Sequence, residues 1–208
     1  MSEKEKSERK DKVAAGQKQS AAGKEAAMAA PDERETEGVD HCVVAGVGAS
    51  AGGLSAYKRL LQNMPDDSGI AFVLVQHLDP NHESMMVELL SKYTTMPVLQ
   101  IEDAVPIRPD HVYMIPPNKF VRIKNDALLL DEPVVRRGVR LPIDYFFESL
   151  AKERRERAIC VVLSGTGSDG TIGLREVKAA GGVTIVERPE SAEYDGMPRS
   201  AMASGAVD

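Results

Sequence analysis

Along the chain, short runs of consecutive apolar residues alternate with stretches whose apolar positions recur every three to four residues. Residues 41–47 contain Cys-Val-Val-Ala-Gly-Val and read as a buried strand. Residues 54–64 place Leu54, Tyr57, Leu60, Leu61 and Met64 at helical spacing and stop at Pro65. Residues 70–76 form a second strand, continuously apolar as parallel strands covered on both faces are. Residues 84–90 read as a helix that ends before Pro97. From 98 to about 135 the pattern changes to short strands with turn signals. There Val112-Tyr113-Met114-Ile115 runs into Pro116-Pro117-Asn118, and 120–123 and 127–130 flank Asn125-Asp126 as a β-hairpin. Helical spacing returns over 143–157. Residues 158–163 are a third buried strand, 172–180 a helix closed by Gly181-Gly182, and 183–186 a fourth strand.

Strands alternating with helices predict an α/β fold: three layers, a mostly parallel sheet with helices on both faces and right-handed crossovers, plus the β-hairpin insertion. Ligands of such sheets sit at the carboxyl ends of the strands. Residues 39–208 form the predicted folded domain. Residues 1–38 stand apart, made of Lys, Glu, Ser, Ala, Gln and Gly with almost no large apolar residue. That composition buries too little surface to offset ordering entropy, so this segment is expected to be disordered, a solvated leader rather than a functional tail.

The rest of the composition narrows the function classes. Aromatics are 4% of the 208 residues and tryptophan is absent, so the core is aliphatic. The net charge of −6 is spread along the chain, which argues against nucleic acid as the main partner. Cys42 and Cys160 both lie in apolar runs and read as small buried hydrophobes in a reducing compartment. No apolar stretch approaches the roughly 18 residues of a membrane span, and the N-terminus has no apolar signal region. The expected location is the cytoplasm, without membrane insertion.

Three motifs close predicted strands. Gly48-Ala49-Ser50-Ala51-Gly52-Gly53 contains G-x-S-x-G, in which a serine on a sharp turn faces the amides of the following helix. Its plain reading is a glycine-rich turn. Its rival reading is a dinucleotide fingerprint, since Gly46-Val47-Gly48-Ala49-Ser50-Ala51 also fits G-x-G-x-x-A. That fingerprint asks for an acidic residue closing the second strand, where Gln76-His77 stand instead, with Asp79 two residues late. His77 follows a fully apolar strand and is the candidate base. His82, in a longer polar loop, competes for the role, while His41 and His111 sit at strand edges and read as structural. Ser164-Gly165-Thr166-Gly167-Ser168-Asp169-Gly170 lacks the Gly-Lys-Ser/Thr of a nucleotide phosphate loop. Asp169 is either an N-cap of the helix that begins at Gly170 or the carboxylate that orients the histidine. No ligand cluster for a metal and no cofactor site is evident.

Together these motifs resemble the catalytic domain of the chemotaxis receptor methylesterases, the CheB family. The resemblance covers 42–208. It implies an α/β fold and a triad in this chain order, with Ser50 as nucleophile, His77 as base and Asp169 as orienting carboxylate. It also implies backbone N–H groups of Ala51 and Thr166 as the oxyanion hole. The implied reaction is hydrolysis of glutamate γ-methyl esters on the cytoplasmic helices of chemoreceptors or a related sensor protein, with deamidation of glutamines at the same sites. The stand-alone enzymes carry an N-terminal receiver domain, and here about 40 polar residues occupy that place. Thr166 stands where methionine is usual, Pro116-Pro117-Asn118 replaces Ala-Pro-Gly, and Phe120 stands near a family histidine. These departures resemble the module fused to a methyltransferase and sensor domains. The chain stops at Ala206-Val207-Asp208, where the family continues, so it is expected to be a fragment. The alternative to an esterase is a non-catalytic regulatory or binding module of such a fused protein, with a nucleotide-binding domain third.

Overall fold

The computed structural model describes residues 42–76, 85–133, 135–136 and 139–208. The leader predicted at 1–38 and the residues His41, His77, Asp79, His82 and Ser84 lie outside the described residues.

The chain runs through β1 (Val43–Ala49), α1 (Gly53–Gln62), β2 (Ile70–Gln76) and a short α2 (Met86–Leu90). It continues with β3 (Val98–Gln100), β4 (Val105–Pro106), β5 (His111–Met114), β6 (Phe120–Lys124), β7 (Ala127–Asp131), β8 (Val135–Arg136) and β9 (Val139–Arg140). The last third holds α3 (Pro142–Arg154), a 3₁₀ turn at Arg155–Arg157, β10 (Ala158–Val162), α4 (Thr171–Ala179), β11 (Val183–Val186) and α5 (Gly196–Ala203).

Six strands form one parallel sheet in the order β11-β10-β1-β2-β5-β3. Four of them are the strands predicted at 41–47, 70–76, 158–163 and 183–186. β5 is the Val112-Tyr113-Met114 run, assigned from the sequence to the region of short strands; it pairs parallel with β2, and β3 completes that edge. The predicted hairpin is β6–β7, antiparallel, with β4 added beside β7. Its turn residues Asn125 and Asp126 have φ of 49° and 60°. Two successive positive φ values are what a tight two-residue hairpin turn requires, and Asn and Asp tolerate them best after glycine.

Gly46 and Gly48 point to one face of β1, where α3 lies so close that their missing side chains make room for Phe146, Phe147, Leu150 and Ile143. Ala49 belongs to the opposite face and meets Gly53 at the start of α1. Helices therefore cover both faces, and the buried core is aliphatic in the main, with Val44, Val47, Val73, Leu74, Val75, Val112, Val162 and Leu174 fully enclosed, but the few aromatics add more to it than expected, since Phe72, Phe120, Phe146, Phe147 and Tyr113 are buried too. Tyr57 of α1 is also fully buried, and its hydroxyl donates to the Val75 carbonyl at 2.8 Å. Cys42 is half-buried and Cys160 buried, both as free thiols; burial pushes the Cys160 thiol up to about 12, which leaves it unreactive. Among the described residues no helix is long and apolar enough to cross a membrane.

α5 has no counterpart in the sequence reading. It opens with Gly196-Met197-Pro198, of which Gly196 and Pro198 usually break helices. Proline is tolerated in the first turn, where its missing N–H has no partner to lose, and the buried face of Met197, Pro198 and Ala201 holds the helix in place.

Candidate active site

β1 lies between β2 and β10, so the chain leaves β1 toward one side of the sheet and returns to its other side through β10. At such a switch point the loops after neighbouring strands diverge and leave a crevice at their carboxyl ends. The segments after β1 and β10 flank that crevice. His111 sits at the opposite end of the sheet, where its Nδ1 lies 2.8 Å from the Pro109 carbonyl and its ring stacks with Tyr113, a structural role as expected.

Ser50 follows β1 directly. Its N–H donates to the Ser164 carbonyl at 3.0 Å, and its own carbonyl accepts the Gly53 N–H at 2.9 Å and the Gln76 side-chain amide at 3.3 Å. The serine is thus held on a tight turn from both sides. Gly52 adopts φ of +74°, and a Cβ there would lie 2.7 Å from Ser164 Oγ. Ser164 is fully buried; its hydroxyl donates to the Ala51 carbonyl and accepts the Tyr194 N–H, both at 2.9 Å. The first residue of the third motif is therefore the brace behind the Ser50 turn. Gly165 brings its backbone against Ser50: a Cβ there would be 3.0 Å from Ser50 Cβ and only 2.1 Å from Met197 Sδ. No side chain fits that position. The N–H groups of Ala51 and Thr166, one residue after Ser50 and Gly165, make no backbone–backbone hydrogen bond among the described residues. N–H groups beside a serine are the elements from which an oxyanion hole is built.

Asp169 is buried, 4% exposed, and its carboxylate is anchored three times. It accepts the N–H of Ile143 at 3.0 Å, of Asp144 at 2.9 Å and of Gly170 at 2.9 Å. The first two belong to the N-terminus of α3. The N-cap of α4 is Gly170, with no side-chain cap bond, so Asp169 caps the neighbouring helix rather than the one it precedes. Its predicted partner His77 is outside the described residues, directly after Gln76 at the end of β2. In register, Ala49 pairs with Gln76, so the ends of β1 and β2 are level.

A cavity of about 580 Å³ opens over Ser50, bounded by Ala51, Gly52, Gly53, Gln76 and Glu193. Gln76 also borders a second cavity of about 180 Å³, next to Asn118, Phe120 and Arg140. Gln76 stands in the motif that ends the second predicted strand but was given no role there, and Glu193 was not singled out at all. Glu193 sits beside Tyr194, which the Ser164 and Gly165 bonds pin to the third motif, but no spacing in the sequence signals that loop.

A family model described as CheB methylesterase matches residues 45–208. The chain belongs to the CheB methylesterase family. It is 39% identical over 167 residues to a protein-glutamate methylesterase/protein-glutamine glutaminase of Photorhabdus laumondii, covering 78% of this chain and 47% of that protein. It is 49% identical over 123 residues to an uncharacterized 104.1 kDa protein of Rhodobacter capsulatus, covering 59% of this chain and 13% of that protein. The chain thus spans less than half the length of either relative. Its fold is similar to the crystal structure of the Thermotoga maritima CheB methylesterase catalytic domain, with a TM-score of 0.74, 27% identity, and coverage of 80% of this chain and 90% of that one.

Proposed function

We propose that this chain is a protein-glutamate methylesterase with Ser50, His77 and Asp169 as its triad and the Ala51 and Thr166 amides as its oxyanion hole. The observation that carries the reading is the braced Ser50 turn at the carboxyl end of β1, with the Gly165 backbone packed against it. Ser50 Oγ attacks the γ-carbonyl of a methylated glutamate while the His77 imidazole takes the hydroxyl proton. The Ala51 and Thr166 N–H groups donate to the oxyanion. Collapse of the tetrahedral intermediate expels methanol, which receives the proton from the imidazolium. A water molecule, deprotonated by the same histidine, then attacks the acyl-enzyme and releases the γ-carboxylate and the free serine. Asp169, rigidly anchored at α3, accepts the other ring N–H and fixes the tautomer. With a glutamine substrate the same steps release ammonia, which is the deamidation reaction.

The substrates are cytoplasmic helices of chemoreceptors or a related sensor protein, and the chain acts in the cytoplasm. The small share it covers of the 104.1 kDa relative supports a module within a larger protein; in this reading the larger protein also carries a methyltransferase. Residues 1–38 act as a solvated leader to a catalytic domain spanning 39–208. The test is methanol release from methylated receptor membranes, comparing the chain with its Ser50→Ala variant. Release that disappears in the variant supports the esterase; a wild-type chain that releases none favours the regulatory-module reading.

A further inference from the structure

The anchoring of Asp169 has a second half. Asp144, the third residue of α3, is 2% exposed, and its Oδ1 accepts the N–H of Gly173 in the first turn of α4 at 2.8 Å. Asp169, two residues before α4, accepts the N–H groups of Ile143 and Asp144 in the first turn of α3. Each carboxylate thus holds the start of the other's helix, and α3 and α4 are packed along each other. A shift of α4 against α3 would strain both sets of bonds at once. Ile143, whose N–H holds Asp169, packs directly under Gly48, two residues before the nucleophile. The clamp therefore ties the position of Asp169 to the strand that presents Ser50.

We propose that Asp144 is a positioning residue for the triad: it closes a reciprocal clamp that fixes the Asp169 carboxylate, and its charge sets how tightly the base holds a proton. This rests on the triad reading given above. Burial pushes the Asp144 carboxyl up from 3.8 to about 6; the Gly173 N–H opposes the rise and the Asp169 charge adds to it. Among the described residues the charged groups acting on Asp144 are Asp169 and, one turn along α3, Glu148. The faces that β1 and β10 turn to α3 hold Gly46, Gly48, Cys160 and Val162, none of them charged at neutral pH. On β6 the Arg122 guanidinium is engaged with Asp131. Above its titration point Asp144 places a second negative charge behind Asp169, and that charge favours the imidazolium form of the base.

The experiment is the pH profile of kcat/KM for methanol release from a peptide glutamate methyl ester, measured on the full chain and on D144N, D144A and S50A. D144N keeps an acceptor for the Gly173 N–H and removes the charge. Its acid limb is expected about half a pH unit below that of the parent, with plateau kcat within about threefold. D144A removes the acceptor and is expected to lose at least about tenfold in kcat at unchanged KM. If D144A does not fold, the D144N profile decides alone. A D144N profile that superimposes on the parent's, in a protein that S50A inactivates, overturns the proposal while leaving the triad intact. Activity that survives in S50A overturns the triad reading and the proposal with it.

Discussion

Gly48→Ala probes the junction between β1, which leads into Ser50, and the helix that anchors Asp169. A Cβ at this position would lie 2.3 Å from Ile143 Cγ2, 3.1 Å from Cδ1 and 3.2 Å from Cγ1. Ordinary carbon contacts begin near 3.5 Å, so Ile143 must retreat by about 1 Å. It has little room, because it is fully buried and a Cβ at Gly170 would also fall within 2.9 Å of its Cγ2. Overpacking of this kind costs about 1–3 kcal/mol, and the tightness of the site points to the upper end, about 3 kcal/mol. Ile143→Ala alone leaves a cavity and costs about 2–5 kcal/mol. The double variant removes the atoms that collide and refills part of the void, so its cost should fall below the sum of the singles by about 2 kcal/mol. Because the Ile143 N–H holds Asp169, Gly48→Ala should also lower kcat/KM, and the double variant should recover part of the loss. Urea denaturation of the four proteins at pH 7, with methanol-release assays on each, measures both. A Gly48→Ala variant within about 0.5 kcal/mol of the parent, or additive costs in the double, would refute the packing argument.

Asp144 makes stability depend on pH in a direction opposite to that of a typical carboxylate. Its folded-state value of about 6 lies above the ordinary 3.8, so its contribution is fully present below pH 3.8 and lost as pH rises through 6. The stability difference between the parent and D144N should therefore change by up to about 3 kcal/mol across that window, and parallel urea-denaturation curves at pH 3.5 and 7.5 would contradict it. Tyr57→Phe removes the buried donor to the Val75 carbonyl and should cost about 1–2 kcal/mol by chemical denaturation at neutral pH, with no change in KM. Gly52→Ala places a Cβ on a φ of +74° and against Ser164 Oγ; at least about a tenfold loss of kcat, with most of the stability retained, is expected in steady-state assays.

The ends of β1, β2 and β10 were legible because each follows a continuous apolar run, and a parallel sheet gathers such ends at one edge. β2 and β11 have the predicted bounds, and the hairpin turn at Asn125-Asp126 has the conformation its residues favour. β5 was seen as a strand but not as part of the main sheet. Four residues headed by a histidine carry no sign of which neighbour they pair with, and the partner is fixed only when the intervening segment folds back. α5 was hidden by Gly196 and Pro198, whose local preferences are overruled by burial of Met197 and Ala201. At the candidate site, Ser50 and Asp169 stand out in the sequence by motif, and the roles proposed for them come from the family resemblance. Ser164 as a brace and Asp144 as the other half of the clamp could not, because both act through hydrogen bonds between segments distant in sequence. Asp169 proved both a cap and a buried carboxylate, yet the helix it caps is α3, 25 residues earlier in the chain.

The central claim is that Ser50 is an activated nucleophile. Reaction of the chain with a fluorophosphonate, which phosphonylates activated serines, followed by intact-mass and peptide mass spectrometry, tests it most directly. A single adduct on Ser50 is expected, absent in Ser50→Ala and His77→Gln and formed at least about a hundredfold more slowly in Asp169→Asn. A folded wild-type chain that stays unlabelled, or an adduct on Ser164 or Ser168 instead, would contradict it.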